Sequence, residues 1–331
     1  MERQGGQRRQ AEPADESADG LALRLTAEEI QRYGRHLCLA GVGEEGQRRI
    51  RSARALVVGV GGLGSPIALY LAAAGVGILG LADPDVVELS NLQRQIAHGT
   101  GSLGARKVES AARRIGDLNP GVHVEAMAVR LGRENAAQLV AGYDVIVDAL
   151  DSLRDRFTLS DACVAAGKPM VHGAVSGWMG EAMTYVPRRG PCYRCVFGGD
   201  APSGDAPAAD ATAGDAAARH ADGATAVGTC AGPAETPEDL GPLAPERVGV
   251  LSSAPGVIGA VEATEVLKLI TGAGELLVGR LLLWDGMRMR FEQVQVMADP
   301  VCSACGTGGR GAGGQERGGQ CHDRADNACR D

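Results

Sequence analysis

The sequence predicts an α/β fold built on a doubly wound, mostly parallel sheet. Strand and helix patterns alternate through the first half of the chain, which is the order expected for βαβ units. The predicted strands are short, uninterrupted apolar runs, typical of strands that are buried on both faces of a parallel sheet. A glycine-rich turn directly follows the first of these strands. The C-terminal part departs from the alternation, and there we expect an antiparallel extension of the sheet.

The predicted elements follow one another along the chain. Short apolar runs predict strands at 55–58, 77–82, 122–128, 144–148 and 169–174. Apolar residues at helical spacing predict helices between them at 65–75, 104–118, 133–141 and 155–166. A longer helix is predicted at 256–271, followed by two antiparallel strands at 276–284 and 289–297 with Asp285 and Gly286 in the turn.

The composition predicts one domain with three poorly ordered segments. A chain of 331 residues has room for about two domains. Three stretches, however, hold few large apolar residues that could be buried. We therefore expect a disordered tail at 1–20, a flexible insertion at 198–245 and a disordered glycine-rich tail at 306–331. The remainder predicts a single domain spanning 21–305.

The charge and hydropathy of the chain exclude several classes of partner. Lys and Arg number 33 against 41 Asp and Glu, giving a formal net charge of −8. Because such a chain repels phosphate at a distance, we expect no nucleic-acid partner. The chain has no apolar run long enough for a membrane-spanning helix, and its N-terminus lacks the apolar core of a signal peptide. We expect a cytoplasmic protein.

The glycine-rich turn predicts a nucleotide site on a Rossmann-like sheet. Gly59, Gly61, Gly62 and Gly64 follow the first strand and open a helix, whose N-terminus attracts phosphate oxygens. Asp83 ends the next strand, where a carboxylate can accept ribose hydroxyls. The strand, the helix and the acidic residue all match the pattern of a nucleotide site. The alternative, a glycine-rich turn that binds no ligand, is therefore the weaker interpretation.

Three further side chains favour a triphosphate over a dinucleotide. A triphosphate requires cations and a divalent metal around it, and Arg94, Lys107 and Asp151 offer two cations and one hard oxygen ligand. Each residue has an ordinary alternative, since Arg94 and Lys107 could be surface charges and Asp151 could cap the following helix. An NAD-dependent oxidoreductase that shares only the nucleotide fold therefore remains open.

Two CxxC pairs predict a structural zinc site. Cys192 and Cys195 form one pair, and Cys302 and Cys305 form the other, far along the chain. Four thiolates at this spacing close a tetrahedral zinc site and leave no position for a substrate. Two free or disulfide-forming pairs are the alternative. The six histidines form no catalytic set, and we expect them to be structural or surface residues.

Six separated motifs give the chain a family resemblance. They are Arg32-Tyr-Gly-Arg35, VVGVGGLGSP, LYLAAAGVGILGLAD, Val87-Glu-Leu-Ser-Asn-Leu-Gln-Arg-Gln, Gly190-Pro-Cys-Tyr-Arg-Cys195 and Asp299-Pro-Val-Cys-Ser-Ala-Cys305-Gly. In this order they resemble the MoeB/ThiF/HesA family of ubiquitin-activating-type adenylyltransferases. The resemblance implies ATP-dependent adenylation of the C-terminal glycine of a ubiquitin-like sulfur-carrier protein with a Gly-Gly end. The pathway implied is molybdopterin, thiamine or related biosynthesis.

The same resemblance implies roles for individual residues. Gly62 would lie against the nucleotide phosphates, and Asp83 would bind the ribose. Around the phosphates the resemblance places Asn91, Arg94 and Lys107, and it makes Asp151 the ligand of Mg²⁺. Arg35 would enter the ATP site of a neighbouring subunit, which implies a homodimer.

The chain departs from the family pattern at two positions. Ser152 follows Asp151 where relatives often have Asn, and it stands among the expected nucleotide contacts. No cysteine lies in the few residues before Gly249, from Pro242 onward, where many relatives carry one for sulfur or thioester chemistry; Cys230 is the nearest candidate, with an idle thiol as the alternative. No rhodanese-like domain follows the core, so we expect a separate sulfur donor. A catalytically silent zinc-bearing scaffold that only binds a carrier is the remaining alternative.

Overall fold

The computed structural model describes residues 24–198 and 249–306, which build one eight-stranded sheet with helices on both faces. The strands are β1 (Arg54–Val58), β2 (Ile78–Ala82), β3 (His123–Met127), β4 (Val145–Asp148), β5 (Met170–Ser176), β6 (Met179–Tyr185), β7 (Arg280–Asp285) and β8 (Arg290–Gln295). The helices are α1 (Ala27–Arg32), α2 (Gly34–Leu37), α3 (Gly43–Ser52), α4 (Gly64–Ala74), α5 (Lys107–Leu118), α6 (Ala136–Ala141), α7 (Leu153–Ala166), α8 (Tyr193–Phe197) and α9 (Ala254–Thr271). Short 3-10 turns lie at Leu89–Asn91 and Thr100–Ser102.

The strand order confirms the doubly wound, mostly parallel sheet. It runs β3-β2-β1-β4-β5-β6-β7-β8, and the first five strands in this order are parallel. The pairings β5–β6, β6–β7 and β7–β8 are antiparallel, as expected for the C-terminal extension. The chain leaves β1 for β2 on one side and returns to β4 on the other. In such sheets the crevice at the carboxyl ends of these central strands is where ligands bind.

The core is divided between the two faces of the sheet. On β1, Ala55 and Val57 face the layer that contains α4, α5 and α9, whereas Leu56 and Val58 face the layer that contains α6, α7 and α8. All four side chains are fully or almost fully buried. This burial on both faces explains why the strand reads as an uninterrupted apolar run rather than an alternating one.

Several predicted boundaries differ from those observed, for physical reasons that the contacts supply. Helix α5 begins at Lys107 rather than 104, because the preceding residues pair with 86–87, where the Val87 N–H donates to the Ala105 carbonyl. Strand β7 begins at Arg280 rather than 276, because the Leu277 N–H turns toward α9 and donates to Glu265 at 2.7 Å.

Smaller differences occur at several further elements, including β7, which contains the Asp285 expected in the turn and pairs it with Arg290. Strand β3 is one residue shorter than expected at each end, α6 begins three residues late, α7 begins two residues early and β5 continues to Ser176. Helices α1 to α3, strand β6 and helix α8 were not predicted from the sequence. Strand β6 is the most consequential of these, because it connects the parallel part of the sheet to β7 and β8.

Three predictions lie outside the described residues. These are the N-terminal tail, nearly all of the insertion at 198–245 that contains Cys230, and the C-terminal tail. Within the described ranges, no helix is both long and apolar enough to cross a bilayer.

Candidate functional site

The glycine-rich loop lies between β1 and α4, at the carboxyl edge of the sheet. Gly59 has a positive φ of 92°, and a β-carbon there would overlap the backbone of Ala149, which follows β4. A β-carbon on Gly64 would overlap the carbonyl group of Gly59, so the first turn of α4 can form only with glycine at this position. The loop therefore closes tightly and directs the N-terminus of α4 toward the crevice, where a phosphate would be favoured.

Asp83 follows β2 and is tied to this loop. Its side chain is buried, with one carboxylate oxygen accepting the N–H of Val60 at 2.7 Å and the other accepting the N–H of Asp85 at 2.8 Å. Each carboxylate oxygen has a second lone pair, so Asp83 can still accept the hydroxyls of a ribose. The acid and the glycine loop thus form one unit, as expected for a nucleotide site.

His98 contacts the same loop through the carbonyl group of Val60. Its Nε2 lies 3.0 Å from the carbonyl oxygen of Val60, and its Nδ1 lies 3.0 Å from the hydroxyl of Ser110 on α5. Burial, assisted by the nearby Lys107 cation, lowers the pKa of His98 below its usual value. A neutral imidazole with its proton on Nε2 can donate to Val60. No sequence motif marks this role, which agrees with the expectation of a structural histidine.

The structure brings Lys107 and Arg94 close to the loop. Lys107 is the first residue of α5 and is almost buried, and its Nζ lies 3.0 Å from a carboxylate oxygen of Asp85. The side chain of Arg94 passes beside Gly62, and its guanidinium donates to the carbonyl of Ser90 at 3.3 Å. Two cations therefore lie near the glycine loop.

The remaining predicted phosphate contact, Asn91, has a local structural role. Its Oδ1 accepts the N–H of Glu88 at 3.1 Å and closes the 3-10 turn that leads to Arg94. A cavity of about 360 Å³ opens beside this turn and the start of α4. It is lined by Pro66, Tyr70, Arg94, Ile96, Ser252, Ser253, Gly256 and Val257.

Asp151 lies on the short loop between β4 and α7. Ser152 caps α7, because its Oγ accepts the N–H of Asp155 at 3.4 Å. The alternative role of Asp151 as the helix cap is therefore wrong. The Asp151 carboxylate is exposed and has no hydrogen-bond or ion-pair partner within 24–198 and 249–306, so it remains available as an oxygen ligand. Burial, together with the charges of Asp151 and Asp148, raises the pKa of the adjacent Asp155.

Two residues to which the sequence assigned no role fix the shape of this loop. Asp148 accepts the N–H of Leu150 at 3.2 Å, and Arg156 donates to the carbonyl of Leu150 at 2.6 and 3.1 Å. Both peptide groups of Leu150 are thereby held in place. Asp148 was visible in the sequence as the end of an apolar run, but the role of Arg156 could not be found without the loop geometry.

Arg35 lies away from the glycine loop of its own chain. It is exposed on α2, two residues after Tyr33, which packs against Gly75 at the C-terminal end of α4. The glycine loop is at the other end of this helix of 11 residues, which is about 16 Å long. The structure therefore does not bring Arg35 together with Lys107 and Asp151 within one chain.

The four predicted zinc ligands come together beside α8. The Sγ atoms of Cys192 and Cys302 are 3.7 Å apart, those of Cys192 and Cys195 are 3.7 Å apart, and those of Cys195 and Cys305 are 3.3 Å apart. All four sulfurs lie within 4.8 Å of one another. Thiolates around a tetrahedral zinc ion are separated by about 3.8 Å, so the arrangement fits the metal. The separations are too long for disulfides, and all four cysteines are free.

Comparison with known proteins agrees with the motifs. The family model described as the ThiF family matches residues 33–304. The SAMP-activating enzyme E1 of Haloferax volcanii is 43% identical over 289 residues, covering 87% of this chain and 93% of that protein. The sulfur carrier protein adenylyltransferase of Thermus thermophilus is 39% identical over 289 residues, covering 86% and 93%.

Longer relatives match over only part of their length. The adenylyltransferase and sulfurtransferase MOCS3-2 of Zea mays is 40% identical over 283 residues, and this chain spans about half of it, 51%. Among solved structures, E. coli MccB with MccA-N7isoASN aligns with a TM-score of 0.66 at 21% identity, covering 84% of this chain and 75% of that one. At this identity the structural match supports the fold alone. The motif order, the family match over 33–304 and the similarity to two relatives over 93% of their length together assign this chain to the ThiF family.

Proposed function

We propose that this chain is an adenylyltransferase that uses ATP to activate the C-terminal glycine carboxylate of a ubiquitin-like sulfur-carrier protein. The observation that carries the proposal is the set of groups around one crevice: a closed glycine loop, Asp83 tied to that loop, and the two cations Lys107 and Arg94. Relatives named as a SAMP-activating enzyme and a sulfur carrier protein adenylyltransferase supply the substrate class.

The reaction requires positioned charge rather than a general base. The carrier carboxylate is already ionised at neutral pH and attacks the α-phosphorus of ATP. A carboxylate oxygen–phosphorus bond forms and the bond to the β-phosphate oxygen breaks, which yields the acyl-adenylate and pyrophosphate. Lys107 and Arg94 stabilise the negative charge that develops on the phosphoryl oxygens. Asp83 and the glycine loop hold the ribose and phosphates in line for this displacement.

Magnesium fits the chemistry of the site. Asp151 offers an exposed carboxylate without a partner in the described part of the chain, and Mg²⁺ binds one or two such carboxylates together with substrate phosphates. When bound, the ion would neutralise phosphate charge. Ser152, whose hydroxyl caps α7, sets the direction in which the chain leaves Asp151.

Zinc would be held by Cys192, Cys195, Cys302 and Cys305 and would have a structural role. With four thiolates, the site leaves no open position for a substrate. It would fix the segment after β8 to α8, on the face of the sheet that also contains α7.

Two copies of the chain are needed to complete the proposed site. Arg35 is exposed and far from its own glycine loop, so it acts only if a second copy of the chain brings it to the crevice. We therefore propose a homodimer in which Arg35 enters the partner's ATP site. A separate protein would donate the sulfur, and Cys230 is the candidate thiol of this chain for that later step.

Ligand-dependent melting separates the proposed function from its alternatives. Magnesium-ATP is expected to raise the melting temperature while NAD leaves it unchanged, because binding to the folded state alone stabilises it. Incubation with magnesium-ATP and a carrier ending in Gly-Gly should then produce a carrier heavier by one adenylyl group, detected by mass spectrometry. Stabilisation by NAD alone would favour the oxidoreductase, and ATP binding without product would favour the silent scaffold.

A further inference from the structure

Five ionisable side chains, of which four are buried and Arg156 is half-buried, lie together behind the proposed metal loop. They are Asp148 on β4, Arg156 on α7, His172 on β5, Glu181 on β6 and Glu262 on α9. The reaction described above uses none of them directly. Buried charges persist in a fold only when they are paired or protonated, so the partners of each group indicate what the cluster does.

His172 occupies the centre of this cluster. Its Nδ1 lies 2.8 Å from one carboxylate oxygen of Asp148, and its Nε2 lies 3.6 Å from a carboxylate oxygen of Glu181. Burial opposes a charge on the ring, but the interactions with Asp148 and Glu181 outweigh it and raise the pKa of His172 above its usual value. The Nδ1–H of His172 therefore donates a hydrogen bond to Asp148, and its Nε2 faces Glu181.

Asp148 transmits this contact to the loop that carries Asp151. The oxygen that does not face His172 accepts the N–H of Leu150, the residue immediately before Asp151. The two oxygens of one carboxylate thus join the buried histidine to the loop backbone. If the bond to His172 is lost, the Asp148 carboxylate can rotate and the Leu150 N–H loses a fixed acceptor.

The ring of His172 also contacts the segment that holds the cysteine cluster. It packs edge-on against Tyr193, with ring centroids 4.8 Å apart, and Tyr193 directly follows Cys192. The hydroxyl of Tyr193 interacts in turn with the guanidinium of Arg156, which holds the carbonyl of Leu150. Both peptide groups of Leu150 are therefore supported from the same buried cluster.

We propose that His172 is a positioning residue that fixes Asp148 and, through it, the loop that presents Asp151 to the metal-bound nucleotide. This inference rests on the proposed function for its catalytic consequence, but not for its effect on the loop. The competing explanation is that His172 only fills space between Tyr193 and Phe197.

Two substitutions separate positioning from packing. In His172→Asn the amide nitrogen is the same number of bonds from Cα as Nδ1, so the donor to Asp148 is retained while the ring is lost. In His172→Phe the ring and its contacts with Tyr193 and Phe197 are retained while the donor is lost. If His172 positions Asp148, the loop of the Asn variant should resemble that of the wild type. If His172 only fills space, the loop of the Phe variant should resemble that of the wild type.

Amide hydrogen exchange, measured by mass spectrometry on zinc-loaded full-length protein, reports directly on the hydrogen bonding of the loop. Loss of the fixed acceptor should speed exchange of peptides covering 149–152 by roughly tenfold in His172→Phe and by less than about twofold in His172→Asn. As a matched control, Thr184→Val removes another buried hydrogen bond to a carboxylate, 2.6 Å to Glu265, and should leave this segment unchanged. Unchanged exchange in His172→Phe, or faster exchange only in His172→Asn, would overturn the proposal. If His172→Phe does not fold, His172→Ala compared with His172→Asn gives the same test.

Pyrophosphate–ATP exchange then measures the catalytic consequence. His172→Phe should raise the magnesium concentration for half-maximal rate by roughly tenfold and leave the KM for ATP within about twofold, because Asp83 and the glycine loop are untouched. His172→Asn should restore most of the magnesium response. A change in KM alone would contradict the assigned role. A wild-type enzyme that catalyses no exchange with any carrier would refute the proposed function, while the hydrogen-exchange result would still decide the positioning.

Discussion

The Nζ of Lys107 lies 3.0 Å from a carboxylate oxygen of Asp85, two residues after the acid that holds the glycine loop. The lysine is almost buried, whereas its partner is largely exposed, so the pair keeps the ammonium group at the edge of the crevice. A lysine held in this way needs little rearrangement to reach a triphosphate. The fold therefore holds a preorganised cation beside the loop.

Removal of the Lys107 ammonium group should affect the rate of the reaction more than the stability of the fold. We expect Lys107→Ala to lower the rate of adenylation by about 10²-fold, because charge that develops on the phosphoryl oxygens loses a fixed partner. Arg113→Ala, which removes an exposed cation from the same helix, is the matched control and should remain close to wild type. Equal losses in both variants would indicate a long-range charge effect rather than a local contact.

The cysteine cluster should bind one zinc ion and stabilise the fold. Cys305→Ser should lose zinc by elemental analysis and lower the melting temperature, because metal binding is coupled to folding. Cys38→Ser alters an exposed cysteine outside the cluster and should retain both the metal and the stability. Wild-type protein purified without metal, yet with an unchanged melting temperature after chelation, would refute the zinc assignment.

Glu262 should make stability fall as pH rises. Its side chain is fully buried and has no hydrogen-bond partner among residues 24–198 and 249–306, and burial together with the charge of Asp148 raises its pKa well above 4.5. The folded chain then holds the proton more tightly than the unfolded chain. The associated stability is present below about pH 4.5 and is lost as pH rises toward the raised pKa.

Glu262→Gln removes this titration while preserving the shape of the side chain. Thermal unfolding between about pH 5 and pH 8 should show the variant to be more stable than the wild type, by a margin that grows with pH. Parallel stability curves for the two proteins would mean that Glu262 does not change its protonation between the folded and unfolded states.

Complementation between subunits tests the assignment of Arg35. Arg35→Ala and Lys107→Ala should each lose most of the activity alone, because each removes one component of every site. A mixed dimer has both residues intact at one of its two sites, and about half of the dimers are mixed after random reassociation of equal amounts. About a quarter of wild-type activity should therefore be recovered. Recovery of no activity from subunits shown to exchange would place Arg35 outside the partner's site.

The parallel half of the fold could be predicted because each strand carries its own signal. Residues 55–58 and 144–148 are apolar runs bounded by turns, and the structure confirms both as central strands. Strand β6 was missed because the residues that indicate it are those of the turn that precedes it. Gly177 has a positive φ of 58° and forms, with Trp178, the two-residue turn between the paired residues Ser176 and Met179. A two-residue turn of this kind indicates a hairpin. Helix α1 was also missed, although Thr26 and Glu29 form a capping box.

The site was predictable where chemistry follows a local motif and not where it depends on strand register. The cysteine pairs and the glycine loop are recognisable from spacing alone. The contact of Asp148 with His172 is different, because it exists only when β4 and β5 pair in parallel with these two residues opposite each other. His98 likewise reaches Val60 across a long stretch of sequence. No periodicity or short motif contains that information.

Exchange of labelled pyrophosphate into ATP tests the central claim most directly. Purified protein would be assayed with magnesium, ATP and a panel of carriers that end in Gly-Gly, each beside a version that lacks the terminal glycine. The account predicts exchange that depends on one intact carrier and is lost with its truncated form, since reversal requires the acyl-adenylate. Absence of exchange with every carrier, despite binding of magnesium-ATP, would contradict adenylation of a carrier protein by this chain.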